Sequence, residues 1–518
     1  MSDRARPIFK RFISIYALSL GGIALLVFLV LAFSGRVTTN QLLSVFLESL
    51  RIIFSNLLTY VLAFLPFLGY LLIQNLKADF QKGGKKKLMK GISLKIALPV
   101  FLLIIGLNLL SIYRESEEFD YSWNHQVLND KGQIRDLYKV DGKQRGIHVF
   151  DLNDDTLDLE ILKRNNVEWI TFVPFIYQNS IHQPELGSRI GRTNRSARLK
   201  RLKRYFALAR KHGFYLMLKP HIWLTSDVKD GWRSDIQMEN QKAWDAWFEE
   251  YRSYMIPYAE LAQEMGVEIL CIGTELNQSV IDQPEQWLSL IQDIREIYKG
   301  QLTYAANWSD DLASIPFWKE LDHIGVQAYF PLAENLDPTL AELEEGWEKH
   351  LTELEELSEQ FDRPVLFTEI GYKSTLDAGQ KPWEWSRVSS AIYEKISHKT
   401  QALCYQALFN TAWKKDWLSG IHIWEWKSRG KSEGKNHGFT LEGKPAMNVM
   451  AKGFAKKMNT PFGLELSYRA DLENSINQRS KWNNSPSFSN NSSQVAENDS
   501  AIWSFNLELA SVHEAEGD

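Results

Sequence analysis

Two glutamates stand where short apolar runs end. Val365 to Tyr372 reads VLFTEIGY, a run closed by Gly371 that carries one carboxylate, Glu369. A run of this kind suits a parallel strand covered on both faces. Earlier in the chain, Glu268 to Glu275 reads EILCIGTE and repeats the arrangement, with Glu275 at its end. Taken singly, each glutamate is explained as a salt-bridged carboxylate at the start of a loop. Two of them presented by the same repeating unit suggest a working pair, one carboxyl holding a proton while its neighbour is ionised.

Such a pair needs a frame of strands and helices, and the sequence supplies one from Arg145 onward. Eight short strands are predicted, approximately Gly146 to Phe150, Trp169 to Pro174, Tyr215 to His221, Ile269 to Gly273, Leu302 to Ala306, Ile324 to Tyr329, Val365 to Ile370 and Ile421 to Trp424. Between them, Arg198 to His212, Gln241 to Met265 and Glu285 to Tyr298 place apolar residues at helical spacing, and Leu340 to Phe361 is a charged, solvent-facing helix. Eight strand-helix units predict an α/β fold, a (β/α)8 TIM barrel with loop insertions. A doubly wound sheet is the alternative and accommodates eight such strands less well. In the barrel both glutamates fall at the C-terminal rim, where enzymes of this fold place their chemistry.

A glutamate ending the fourth barrel strand and another ending the seventh resembles clan A of the glycoside hydrolases. The local strings look most like family 113, which includes β-mannanases: CIGTEL around Glu275, AANWS around Asn307, QAYFPL around Tyr329, FTEIGY around Glu369, and GKPA at Gly443 to Ala446. The resemblance covers Arg145 to about Lys457. It implies that Glu275 is the general acid/base and Glu369 the nucleophile of a retaining glycoside hydrolase, with carboxyl groups about 5 to 5.5 Å apart. It also implies that Tyr329 holds the nucleophile through its hydroxyl. Trp424 resembles the tryptophan platform beneath the reacting sugar, with barrel closure as its other explanation. One position departs from the clan. Many members carry Asn immediately before the acid/base, bonding the sugar 2-hydroxyl, and this chain has Thr274.

Other rim positions are candidates for substrate binding. His221, in KPHIW, stands alone and so is no metal site; a sugar-hydroxyl contact and a structural role are evenly balanced. Asn307 either bonds a hydroxyl or turns its loop. Trp223, Trp232, Trp308 and Trp426 are placed to line further subsites or to pack in the core. The chain has 18 Trp, and clustered indoles suit both purposes.

Composition narrows the partners. At 518 residues the chain has room for two or three units. A net charge of -5, with no extended basic face outside the N-terminal region, argues against nucleic acid. There is no CxxC and no HExxH, the 11 His are scattered, and no phosphate loop is present, so neither a metal nor a cofactor is expected. Cys271 and Cys404 are expected as free buried thiols.

Residues 1–114 read as a membrane region. Ile13 to Phe33, Ile52 to Ile73 and Ile96 to Tyr113 (about 13–33, 52–73 and 96–113) predict three transmembrane helices, with Pro66 and Pro99 tolerated inside them. A cleaved signal peptide is the alternative for the first. Lys77, Lys82, Lys85, Lys86, Lys87 and Lys90 lie between the second and third runs, against Arg36 and Arg51 after the first. The positive-inside rule then puts the N-terminus in the cytoplasm and everything beyond Arg114 outside it. Residues 115–144 are expected as a linker, 145–457 as the barrel and 458–518 as a mostly disordered tail rich in Asn and Ser.

The sequence therefore points to a multi-pass protein of the cell membrane. Its external domain is expected to be a retaining glycoside hydrolase acting on a β-linked polysaccharide or oligosaccharide, β-1,4-mannan among them. The alternative is a non-catalytic carbohydrate-binding or sensing protein that keeps the barrel as a recognition module.

Overall fold

The computed structural model describes residues 5–33, 46–47, 49–50, 54, 57–115, 119–129, 134–150, 152, 157–187, 195–225, 231–385, 394–427 and 437–459. The tail beyond Asn459 and the start of the expected second span lie outside these residues. The chain divides into two compact units, Met1–Ile112 and Tyr113–Asp518.

In the first unit, helix Ala5–Phe33 packs on helix Leu57–Ile92, with Phe12 against Phe64 and Phe67 and a hydrogen bond from Arg11 to the Tyr70 hydroxyl. Among the described residues two stretches, Lys10–Val30 and Leu62–Arg114, are long and apolar enough to cross a membrane. The second has 53 residues, which as one straight helix would span about 80 Å against a hydrocarbon core of about 30 Å. It is not straight. Gly83 and Gly84 leave helical geometry, and Gly84, at φ 58, adopts a left-handed conformation that glycine takes without a Cβ clash. Beyond them the chain doubles back, so that Lys95 bonds Asp79 at 2.7 Å.

The second unit is a closed parallel barrel. Among the described residues it has ten strands, β1 (Gln144–Val149), β2 (Trp169–Phe172), β3 (Phe175–Gln178), β4 (Tyr215–Leu218), β5 (His221–Leu224), β6 (Ile269–Thr274), β7 (Gln301–Asn307), β8 (His323–Gln327), β9 (Val365–Ile370) and β10 (Leu418–Trp426). Eight close the barrel in the order β1-β10-β9-β8-β7-β6-β4-β2, while β3 and β5 pair separately. The two runs predicted as Trp169 to Pro174 and Tyr215 to His221 are thus each cut. Pro174 and Pro220 carry no N–H for the ladder, so the strands stop and resume as β3 and β5, with Phe175 opposite His221. All eight barrel strands were predicted in the right order.

Helices on the outside begin and end on local signals. Gln241–Met265 is capped by the Asn240 side chain, which accepts from the Ala243 N–H, and ends at Gly266 in a left-handed conformation. Leu340–Phe361 opens with a Thr339/Glu342 capping box. The main core lies between these helices and the strands, with Trp247, Trp287 and Trp347 fully buried.

The expected linker contributes to the barrel floor. Tyr138, in the short helix Tyr138–Asp141, packs edge-on against Trp169 and Tyr215. Asp141 bonds the fully buried Arg145 at 2.6 Å, and Glu168 accepts the N–H groups of Leu137 and Tyr138. Asp141 also accepts the N–H of Met458, tying the two ends of the barrel domain together.

Candidate active site

The barrel brings the two expected carboxylates to one place. Glu369 is the fifth residue of β9, and Glu275 directly follows β6. Glu275 is held in a left-handed conformation at φ 53, which costs a non-glycine residue about 1–2 kcal/mol. The neighbouring strand supports the turn: the Glu275 N–H donates to the Ala305 carbonyl at 2.8 Å, and the Leu276 N–H donates to the Tyr304 hydroxyl at 2.8 Å.

Glu369 is 5% exposed. Its Oε1 accepts from the Tyr329 hydroxyl at 2.6 Å, and its Oε2 accepts from Lys219 Nζ at 2.5 Å. Burial pushes the Glu369 carboxyl above the usual carboxylate range, Lys219 and Tyr329 pull it down, and Glu275 pushes it up again. Tyr329 is held well above the ordinary phenol value by burial and by Glu369, so it stays a donor.

Glu275 is 6% exposed and fully engaged. Oε2 accepts from Trp232 Nε1 and from Arg233, each at 2.9 Å, and Oε1 accepts from Gln327 Nε2 at 2.9 Å. The Arg233 guanidinium stacks over the Trp232 ring at 4.0 Å, which fixes both donors. Gln327 also accepts a short hydrogen bond from Lys219 Nζ. An unbroken chain therefore runs from Glu275 through Gln327 and Lys219 to Glu369.

His221 opens β5 beside the pair, with Nε2 3.9 Å from Glu369 Oε2 and no hydrogen-bond partner among the described residues. Burial, then Lys219 and Arg233, hold its imidazole well below the ordinary histidine value, so it is neutral. Trp424 lies nearly parallel to His221 at 6.3 Å and edge-on to Phe150 at 4.8 Å. Phe150, Val173, Phe175, Tyr329, Trp424 and Phe439 form an apolar cluster, flanked by half-buried Tyr177, Trp223, Trp308 and Trp385.

The other candidates separate. Asn307 ends β7, but its Oδ1 accepts from Ser309 and its N–H donates to Asp310, so its carboxamide oxygen serves its own turn. Trp426 is 1% exposed and donates to Asp158; it is a core residue. Thr274 gives its hydroxyl to the Pro220 carbonyl at 3.2 Å, so it does not replace an asparagine that reaches a ligand. Lys219, Gln327 and Arg233 are the site residues that the sequence reading missed. Two carried a signal: Lys219 is a charge between an apolar run and a proline, and Gln327 sits two residues before Tyr329 on a strand. Arg233 carried none. Among the described residues no cluster of His, Cys, Asp and Glu could hold a metal, and Cys271 and Cys404 are free and buried.

A family model, Glycoside Hydrolase Family 113, matches residues 144–444. Among solved structures, a β-1,4-mannanase of that family in complex form is 22% identical with a TM-score of 0.52, over 60% of this chain and 98% of its own. The β-mannanase AaManA from Alicyclobacillus acidocaldarius, in complex with ManMIm, is 23% identical with a TM-score of 0.52, over 61% of this chain and 97% of its own. At these identities the likeness is one of fold. A search of curated proteins finds no match.

Proposed function

The chain belongs to glycoside hydrolase family 113, and on that premise we propose that it is a membrane-anchored retaining glycosidase acting outside the cytoplasm on a β-1,4-mannan or a closely related β-linked glycan. The relatives of known structure are named as mannanases, which supports the choice of sugar. The reading rests on one observation above all: two buried glutamates at the C-terminal rim, joined through Gln327 and Lys219.

In this reading Glu369 is the nucleophile and Glu275 the acid/base. Glu275 gives its proton to the glycosidic oxygen as the bond to the anomeric carbon breaks, and a Glu369 oxygen forms a bond to that carbon. Water then attacks the glycosyl ester, its proton goes to Glu275, and Glu369 leaves as a carboxylate. Lys219 and Tyr329 hold Glu369 ionised and oriented for attack. Trp424 is the apolar floor under the sugar, and His221 offers its unpartnered Nε2 to a hydroxyl. Asn307, its oxygen engaged, offers its amide nitrogen.

For the membrane region we infer three crossings, with the reversal at Gly83–Gly84 dividing the long second stretch into two spans. The lysines around that reversal favour a cytoplasmic turn. Residues 115–457 then lie outside as the catalytic domain.

The test is product analysis of the full chain in detergent on a panel of β-linked polysaccharides, with the anomeric configuration followed by NMR. Cleavage with retained configuration is expected. An inverted product would refute the assignment of Glu369, and sugar binding without cleavage of any β-glycan would establish the recognition module instead.

A further inference from the structure

The helix reversal in the N-terminal unit leaves a groove that glycoside hydrolysis does not use. Past Gly83 and Gly84 the second arm returns against the first, and Gly91 permits the approach: a Cβ there would meet the Asp79 carboxylate at 2.5 Å and the Leu76 side chain at 3.3 Å. Beside this contact lies a groove of about 410 Å³, lined by Ile73, Leu76, Lys77, Phe80 and Gln81 of the first arm and Leu88 of the second. The five residues of the first arm fall at helical spacing, on one face. A volume of that size suits a small ligand, for which sites run from about 300 to 1,000 Å³. The walls are apolar, with Ile73 and Phe80 exposed, and Lys77 and Gln81 bring polar ends to the edge. Charge around the groove has one sign. Residues 73–95 hold seven exposed lysines against one acid, Asp79, and Lys95 takes that acid in an ion pair at 2.7 Å.

An apolar slot edged by unneutralised ammonium groups fits an amphiphile with an anionic head. Ile73 closes the expected second span and Lys77 follows about one helical turn later, so the groove lies where hydrocarbon gives way to headgroups. Anionic lipids populate that level of the cytoplasmic leaflet, where each nearby lysine contributes about 1 kcal/mol of attraction. We propose that the groove is a binding site for one anionic phospholipid of the cytoplasmic leaflet, its phosphate accepting from Lys77 and the Gln81 amide and one acyl chain lying against Ile73, Leu76, Phe80 and Leu88. This rests on residues 1–114 being membrane-embedded with the lysines on the cytoplasmic side. The lysines at the tip of the reversal, Lys86 among them, do not line the groove. They add a diffuse field that any anion feels, whereas Lys77 stands at the groove itself.

The experiment titrates the full chain, purified in a mild detergent, with phosphatidylglycerol and with phosphatidylcholine of the same acyl chains, and reads the first bound lipid by native mass spectrometry. Phosphatidylglycerol should bind the more tightly. Lys77→Gln should weaken it roughly fivefold, the share of one lysine, and Lys86→Gln clearly less. Both positions are exposed, so neither change threatens the fold. Equal affinity for the two lipids would overturn the proposal, as would equal losses in the two variants, which would leave only a diffuse field. Displacement of phosphatidylglycerol by millimolar inorganic phosphate would overturn it too, by showing a site for a free anion without need of the acyl chain. Release of the full chain from its native membranes by alkaline carbonate would instead overturn the membrane reading on which the site depends.

Discussion

Lys219 is the perturbation that most directly probes the charge balance of the site. Its Nζ lies 2.5 Å from Glu369 Oε2 with its side chain wholly buried, in contact with Gln327 as well. Coulomb attraction at that separation and an effective dielectric of 20 is about 7 kcal/mol. Relaxation and entering water remove part of it on substitution. If half survives, loss of the cation costs the ionised Glu369 about 3 kcal/mol and raises its carboxyl further. The direction is fixed: burial already pushes Glu369 up, and Lys219 is the strongest influence holding it down. Lys219→Met should therefore move the acid limb of the kcat/KM profile upward, with activity returning as the pH rises. On the acid side of both limbs about 3 kcal/mol corresponds to a loss of roughly 100-fold. The assay is kcat/KM against pH with a dinitrophenyl glycoside, for which the acid role proposed for Glu275 is nearly silent. A profile superimposable on that of the wild type would refute the reasoning, as would a uniform loss at every pH.

Further outcomes follow from the same structure. In azide, Glu275→Ala should convert the dinitrophenyl glycoside into a glycosyl azide of retained configuration, and Glu369→Ala into one of inverted configuration; NMR of the products checks both, and exchanged configurations would swap the roles. His323, bonded to Ser419 and Gln301, is held down to about 4 by burial, with Asp322 opposing and Arg363 reinforcing. A histidine depressed in the folded state binds more protons unfolded, so its contribution is intact above about pH 6.5 and falls by roughly 3 kcal/mol as the pH drops to 4. Urea titrations of wild type and His323→Gln should show the wild type losing more stability across that window, and equal slopes would count against it. A reporter active only outside the cytoplasm, fused after Arg114, should be active; a silent one would end the three-crossing topology.

Much of the barrel was legible because each strand is a compact run whose residues are nearly all buried, such as Ile269–Thr274 and Val365–Ile370. Glu275 and Glu369 were legible for the same reason, as charges closing apolar runs. What failed depends on registers that no local stretch contains. Gln327 meets Glu275 because β8 lies between β7 and β9 in the closed sheet, and Lys219 reaches Glu369 across the barrel from β4. The tryptophans at 424 and 426 show the limit clearly. Two residues apart on one strand, they should share a face. The ladder shifts between Ile147 and Val149, whose partners are Ile423 and Trp426, so Trp424 joins the rim while Trp426 enters the core. The proline cuts at Pro174 and Pro220 were visible in the sequence, yet only pairing shows that the chain resumes as strands beyond them.

The arrangement gives each glutamate its own cation, Lys219 for Glu369 and Arg233 for Glu275. A buried charge without a partner is costly, so two carboxylates in one cleft could not both ionise on burial alone. The cations differ in kind. Lys219 is a compact charge fixed by two acceptors, Glu369 and Gln327, so in the proposed mechanism a glycosyl ester on Glu369 would remove one partner and leave the other. The ammonium would then remain anchored beside the amide that touches Glu275 while water attacks. Arg233 lies instead in the loop between β5 and helix Gln241–Met265, stacked on Trp232 and outside the strand ladder. The cation beside Glu369 is thus built into the barrel wall, and the cation beside Glu275 is carried by a loop.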